Sequence, residues 1–278
     1  MEKVAFLTQH GKEQIVAAIL AEGGMKVERV EGFNTDLWGT FSGEIERPAS
    51  QAETAVMKAK KALELCDDAS WGLGSEGAFN PHPASPFITL NTEVLALCGR
   101  SGKITIRGRA AGTNVVFHSR TIRHANDLIT LASDQNFPEY GLILKVVQAG
   151  KVIASEKECQ TVDELKLAWQ HLNKIYPDEA IIAETDLRAH RNPARRLLIA
   201  EAARDLLQRW RTVCANCGLR GFGKEESIPG LPCSVCYFPT RLPKGYVWRC
   251  PHCGYEETRR NSDSPETADP SVCSVCNP

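Results

Sequence analysis

Four Cys-x-x-Cys pairs in the C-terminal quarter constrain this chain more than any other feature. They are Cys214/Cys217, Cys233/Cys236, Cys250/Cys253 and Cys273/Cys276. Two residues between thiolates let one tight turn present both sulfurs to a single tetrahedral ion, and closed four-sulfur sites are structural zinc sites. Eight ligands suffice for two Zn²⁺ ions. "VCANCG" and "RCPHCG" add the glycine expected after the second cysteine of a metal knuckle. The other three of the eleven cysteines, Cys66, Cys98 and Cys159, are scattered and read as small apolar core residues. This asymmetry favours metal ligation in a reducing compartment over a disulfide framework. Which pairs share an ion is open. Sequential pairing, 214/217 with 233/236, is the preferred expectation, and interleaving of 214/217 with 250/253 is the alternative. His252, inside one turn, reads as a surface side chain. A segment this small cannot hold a core without metal, so its metal-binding energy is folding energy.

The remaining length decides the architecture. Of 278 residues 42% are hydrophobic, enough for a real core and for two units. The net charge of −1 neither demands nor excludes a charged partner. No run of 18 apolar residues suggests a membrane span, and "MEKVAFLTQHGKEQI" reads as a first strand and not as a signal peptide, so a cytoplasmic location is expected. Strand candidates at 4–8 and 25–33 flank a helix within 10–24, and a polar loop at 34–48 leads to an amphipathic helix at 49–65. Residues 70–79 read as a strand ending in a tight turn. The middle, "PFITLNTEVLALCG", "GKITIRGRA" and "TNVVFHSRTI", is strand-rich. A helix is expected at 124–134, a strand or hairpin over 140–154, and a helix at 161–176 opened by a Thr161/Glu164 capping box. A strand follows at 179–186. Asn192 as N-cap and Pro193 at the first helical position start a long helix running to 212. The expected fold is therefore an α/β domain over 1–190, a mixed sheet flanked by helices. A connecting helix follows at 191–212, and a small zinc-ribbon-like module at 213–278.

Four polar clusters are candidates for chemistry. Thr8, His10, Lys12 and Glu13 follow the first strand, where a parallel sheet opens its crevice. Asp36, Thr40, Glu44 and Arg47 form the second, and Ser75, Glu76 and His82 the third. The fourth is Asp186, Arg188, His190, Asn192 and Arg195, at a helix start that would attract anions. Glu44 and Glu76 are the carboxylates suited to Mg²⁺ or Mn²⁺. Lys12, Arg47, Arg188 and Arg195, with Thr8, are suited to phosphate oxygens. His10 and His190 are the acid–base candidates, with Glu76 and Asp186 as further catalytic carboxylates. Each has a bland alternative: Asp186 as a turn cap, the arginines as solvated surface.

Together "TQHGKE", "TDLWGTFSGEIER", "GSEGAFNPHP", "TDLRAHRNP" and "ADPSVCSVCNP" resemble an uncharacterised bacterial domain-of-unknown-function family with a C-terminal zinc-ribbon-like tail. The first 80 residues also resemble the inosine/xanthosine triphosphate pyrophosphatases, through "FLTQHGKEQI", "GEIERPASQAETAVMKAKKA" and "GLGSEGAF". That resemblance implies phosphate contacts from Lys12 and Lys58 and Mg²⁺ ligation by Glu44 and Glu76. The expectation is a metal-dependent hydrolase of a nucleotide or other phosphorylated small molecule. The alternative is a nucleic-acid-binding or protein-interaction role for the tail. From Arg188 to Arg260, fourteen Lys or Arg stand against six Asp or Glu, with Phe222, Tyr237, Phe238, Tyr246, Trp248 and Tyr255 interleaved.

Overall fold

A computed structural model describes residues 1–39, 47–82, 85–260 and 265–278. The chain forms two compact units, Met1–Arg100 with Arg107–Leu206, and Ser101–Ile106 with Leu207–Pro278. The architecture is a mixed α/β sheet flanked by helices, then a long helix and a cysteine-rich module. Among the described residues no helix is long and apolar enough to cross a membrane.

The first unit begins β1 (Glu2–Leu7), α1 (Lys12–Ala21), β2 (Met25–Val30), α2 (Gln51–Glu64), β3 (Trp71–His82), β4 (Ser85–Gly99) and β5 (Thr105–Gly112), with a short 3₁₀ turn at Thr35–Trp38. The five strands form one sheet in the order β2-β1-β3-β4-β5. β1 runs parallel to both β2 and β3, and β3 pairs antiparallel with β4. The chain leaves β1 to one side for β2 and returns to its other side for β3. That reversal opens a crevice at the carboxyl end of β1, the place where α/β sheets take ligands.

α2 starts from a capping box in which Ser50 and Glu53 satisfy each other's backbone N–H groups. Its buried stripe is small: Ala55, Ala59 and Ala62. It lies on the glycines of "GLGSEG". A Cβ at Gly72 would stand 2.0 Å from the Ala59 carbonyl oxygen, and one at Gly74 would stand 2.1 Å from that of Ala55. Those glycines exist so that helix and strand backbones can touch. The strand does not end at residue 79, where the tight turn is expected. β3 continues to His82, because β4 offers a partner along its whole length.

The same unit holds a second sheet. Its elements are β6 (Ser119–Thr121), α3 (Ala125–Asp134), β7 (Leu142–Gln148), β8 (Lys151–Glu156), α4 (Val162–Ile175) and β9 (Ala180–Thr185). The order is β6-β9-β7-β8, with antiparallel pairing throughout. Leu128, Leu131, Leu142, Leu144, Leu165 and Leu172 are buried together there. Of the strand expected over "TNVVFHSRTI", only Ser119–Thr121 is extended and paired, because β9 supplies hydrogen-bonding partners there alone. The Thr161/Glu164 box caps α4 as expected.

α5 (Pro193–Arg211) begins where Asn192 Oδ1 accepts the Arg195 N–H at 3.1 Å. The second unit is a three-stranded antiparallel sheet of β10 (Gly223–Pro229), β11 (Pro243–Arg249) and β12 (Glu256–Arg260). Phe222 and Trp248 are buried beside Cys214 and Cys250.

Candidate functional site

The cysteines assemble into two clusters, Cys214/Cys217/Cys250/Cys253 and Cys233/Cys236/Cys273/Cys276. Pairing is therefore interleaved, and the sequential expectation is corrected. The cause is the sheet. The first pair precedes β10 and the second follows it, at opposite ends. β11 returns antiparallel, so the third pair rejoins the first, and β12 carries the chain back toward the second. Sulfur–sulfur separations of 3.8 Å (Cys214–Cys253), 3.6 Å (Cys217–Cys250), 3.8 Å (Cys233–Cys276) and 3.6 Å (Cys236–Cys273) test the fit. A tetrahedron of Zn–S bonds of about 2.3 Å has edges of about 3.8 Å. The thiols thus already stand at the spacing that zinc requires, and both clusters are closed sets of four sulfurs. The Val235 and His252 amides add N–H···S contacts of 3.5 and 3.4 Å. His252 is not merely a surface group: its Nε2 lies 2.9 Å from the Arg220 carbonyl oxygen.

Three of the four knuckles share one backbone form and differ at one residue. Gly218 and Gly254 follow two of them with φ of 71° and 73°. The equivalent residue after Cys236 is Tyr237, with φ of 59°. A side chain in the left-handed region costs about 1 kcal/mol.

The cleft at the end of β1 is lined by Leu7–His10, Lys12, Thr35, Asp36, Gly39, Lys58, Ser75, Glu76 and Arg195. It draws on all four sequence clusters, the fourth through Arg195 alone. The register explains why. β1 pairs with β3 as far as Leu7 and Gly74, then turns away into α1. The next two residues of β3, Ser75 and Glu76, are left bordering the gap, one on each face of the sheet.

On the α2 face Glu76, 5% exposed, is held by Lys58 and Arg47. Lys58 Nζ lies 2.5 Å from its Oε2. Arg47 Nη2 lies 3.0 Å from Oε1 and donates to the Gly77 carbonyl at 2.8 Å. On the other face Arg195, at the start of α5, is fully buried and bonds Glu93 Oε1 at 2.5 Å and the Leu187 carbonyl at 2.6 Å. Gly77 leaves the room: a Cβ there would stand 2.3 Å from Arg195 Nη2. Glu93 was missed in the sequence. Its signal was the one Glu76 gave, a lone carboxylate in an apolar strand.

Lys12 differs from these cations. It is 7% exposed, and its one polar partner among the described residues is the Ser75 hydroxyl, at 3.1 Å. Burial, with Arg195 and Lys58 nearby, pushes its ammonium down from 10.5 to about 8. α1 begins with Gly11 as N-cap and no capping side chain, so its first amides have no side-chain cap at the edge of the cleft that Lys12 lines. His10 stacks on His190, ring centroids 5.0 Å apart. Burial first, then His190, Arg188 and Lys12, holds His10 down to about 3, so it is neutral at pH 7. His190 is also lowered, by burial and Arg188. Thr8 is buried at the cleft wall, its hydroxyl donating to the Gln9 carbonyl.

Two expected site residues are otherwise engaged. Asp186 is fully buried, and Arg188 closes on it through Nε and Nη2, the latter at 2.7 Å. Arg188 also meets Glu158 at 2.5 Å. Neither residue lines the cleft. Glu44 lies outside the described residues. Glu76 has both oxygens in ion pairs, and among the described residues the only groups of three or more His, Cys, Asp or Glu poised for a metal are the two cysteine clusters.

The family model for DUF6671, a domain of unknown function, matches residues 58–278. The chain belongs to the DUF6671 family. The matched span includes all eight cysteines, Lys58, Ser75, Glu76, Glu93 and Arg195; Lys12 and the β1 loop precede it. No curated protein matches. Among solved structures, the crystal structure of protein VC0702 from Vibrio cholerae aligns with a TM-score of 0.35 at 9% identity, covering 75% of this chain and 94% of that one. The DUF6671 match brings no activity, and these comparisons give no support to the pyrophosphatase resemblance of the first 80 residues.

Proposed function

We propose that the cleft at the end of β1 binds the phosphoryl group of a nucleotide or other phosphorylated small molecule and hydrolyses it, while the two zinc sites hold the C-terminal module folded. One observation supports this reading: Lys12 is a buried ammonium with no carboxylate partner among the described residues, set beside the uncapped start of α1. A buried charge without an opposite charge is costly, and an anionic ligand is the partner it lacks. Lys12 and the first amides of α1 hold the phosphoryl oxygens, and Arg195 and Lys58 add positive potential. Neutral His10 offers a hydrogen bond without competing for the charge.

The test is a screen of canonical and deaminated nucleotides and simple phosphate esters, with and without Mg²⁺, with products identified and K12M alongside. Turnover that falls with K12M supports the reading. Pyrophosphate release would favour the pyrophosphatase resemblance, and orthophosphate alone would keep only the broader class. Turnover of nothing, with no binding of inorganic phosphate, sinks it.

The nucleic-acid alternative draws less support. Phe222 and Trp248 are core residues, and Arg209, Arg249, Arg259 and Arg260 each meet a carboxylate.

A further inference from the structure

The hydroxyl that touches Lys12 is itself unusual. Ser75 lies on β3 one residue past the last pairing with β1, buried, at the wall of the cleft. A serine in a strand core needs no charged partner. This one receives a hydrogen bond from a lysine 63 residues away, and that lysine makes no ion pair among the described residues. Serine is activated by an adjacent base, and a lysine in its amine form serves as that base in serine–lysine pairs.

We infer that Ser75 is a nucleophile and Lys12 its proton acceptor, so that hydrolysis in this cleft passes through a covalent phosphoseryl intermediate. This rests on the hydrolase reading above and adds its chemical course. Ser75 Oγ forms the bond to phosphorus as the bond from phosphorus to the leaving oxygen breaks. The hydroxyl proton passes to the Lys12 amine, which returns it to the leaving oxygen. Water then attacks the phosphoserine, its proton taking the same route back to Ser75. No oxidant or further reactant is needed. The lowered Lys12 ammonium makes both of its protonation states accessible near neutrality. The uncapped amides of α1 face the charge that develops.

A fluorophosphonate tests the pair without knowledge of the natural substrate, because it reports serine activation directly. Wild-type protein should gain one phosphonyl group, on Ser75 by peptide mass spectrometry, at a rate that rises as pH passes about 8. K12R keeps the positive charge but cannot accept a proton. It should label about 100-fold more slowly. S75A should neither label nor turn over phosphate esters. Ser75 labelling at an undiminished rate in K12R overturns the role of Lys12. No labelling of Ser75, with esters still hydrolysed by S75A, overturns the nucleophile and leaves the hydrolase reading with water as attacker. Lysine-dependent labelling with no phosphorylated compound turned over keeps the pair and removes the phosphoryl reading. Neither labelling nor turnover removes both.

Discussion

Replacing Lys12 with methionine should make the first unit more stable at neutral pH. The side chains are alike in length, so packing changes little. Burial lowers the Lys12 ammonium from 10.5 to about 8. At about 1.4 kcal/mol per pK unit, the folded state carries a penalty of about 3 kcal/mol whenever both states are protonated, that is, below about pH 8. Loss of the Ser75 hydrogen bond offsets about 1 kcal/mol of the gain. The sign follows from linkage. Between about pH 8 and 10.5 the unfolded chain holds a proton that the folded chain has lost, so wild-type stability rises with pH relative to K12M. K12M should therefore be about 2 kcal/mol more stable at pH 7, with the difference gone or reversed near pH 10. Hydrogen exchange of the β1 and β3 amides reads this locally, apart from the zinc unit. Equal destabilisation of K12M at every pH would refute the argument, because it would mean that the ammonium is well satisfied where it lies. The gain on mutation would be the stability surrendered to keep a charge waiting for its ligand.

The zinc pairing can be read by metal analysis. C217S/C250S strikes one cluster twice and should retain one zinc per chain, while C217S/C236S strikes both and should retain none; sequential pairing would leave C217S/C250S with no zinc. Gly74→Ala places a methyl 2.1 Å from the Ala55 carbonyl and must lift α2 from β3. A loss of about 3 kcal/mol or more in urea unfolding is expected, and a loss under about 1 kcal/mol would show that helix and strand are not in contact there. Tyr237→Gly relieves a left-handed tyrosine that is 72% exposed, so thermal unfolding of the zinc-loaded protein should be unchanged or raised by about 1 kcal/mol, with two zinc ions kept. A fall in stability would mean that the ring packs against something.

Much of this was legible in residue order because its causes are local. A Cys-x-x-Cys turn forms a metal knuckle by itself, a Ser or Thr with Glu three residues on caps its own helix, and Pro193 after Asn192 starts α5. The ligand set for two zinc ions, the mixed α/β class and the long helix before the cysteines follow from such short-range chemistry. So did the value of Glu76 as a residue needing an explanation, since charge in an apolar run is costly wherever the chain goes, and of Lys12 as part of a polar cluster directly after a strand.

Tertiary structure decided what depends on distant partners. Interleaved pairing of the cysteines needed the antiparallel return of β11, which no spacing announces. Glu76 reads in the sequence as a candidate metal ligand; in the fold α2, seated on Gly72 and Gly74, brings Lys58 to one oxygen and the chain before it brings Arg47 to the other. Arg188 looked free until it closed on Asp186. Lys12 and Ser75, 63 residues apart, meet only because β1 lies between β2 and β3 and ends one residue short of Ser75. Pairs of that kind are fixed by strand order, and strand order is settled by which surfaces bury one another across the whole chain.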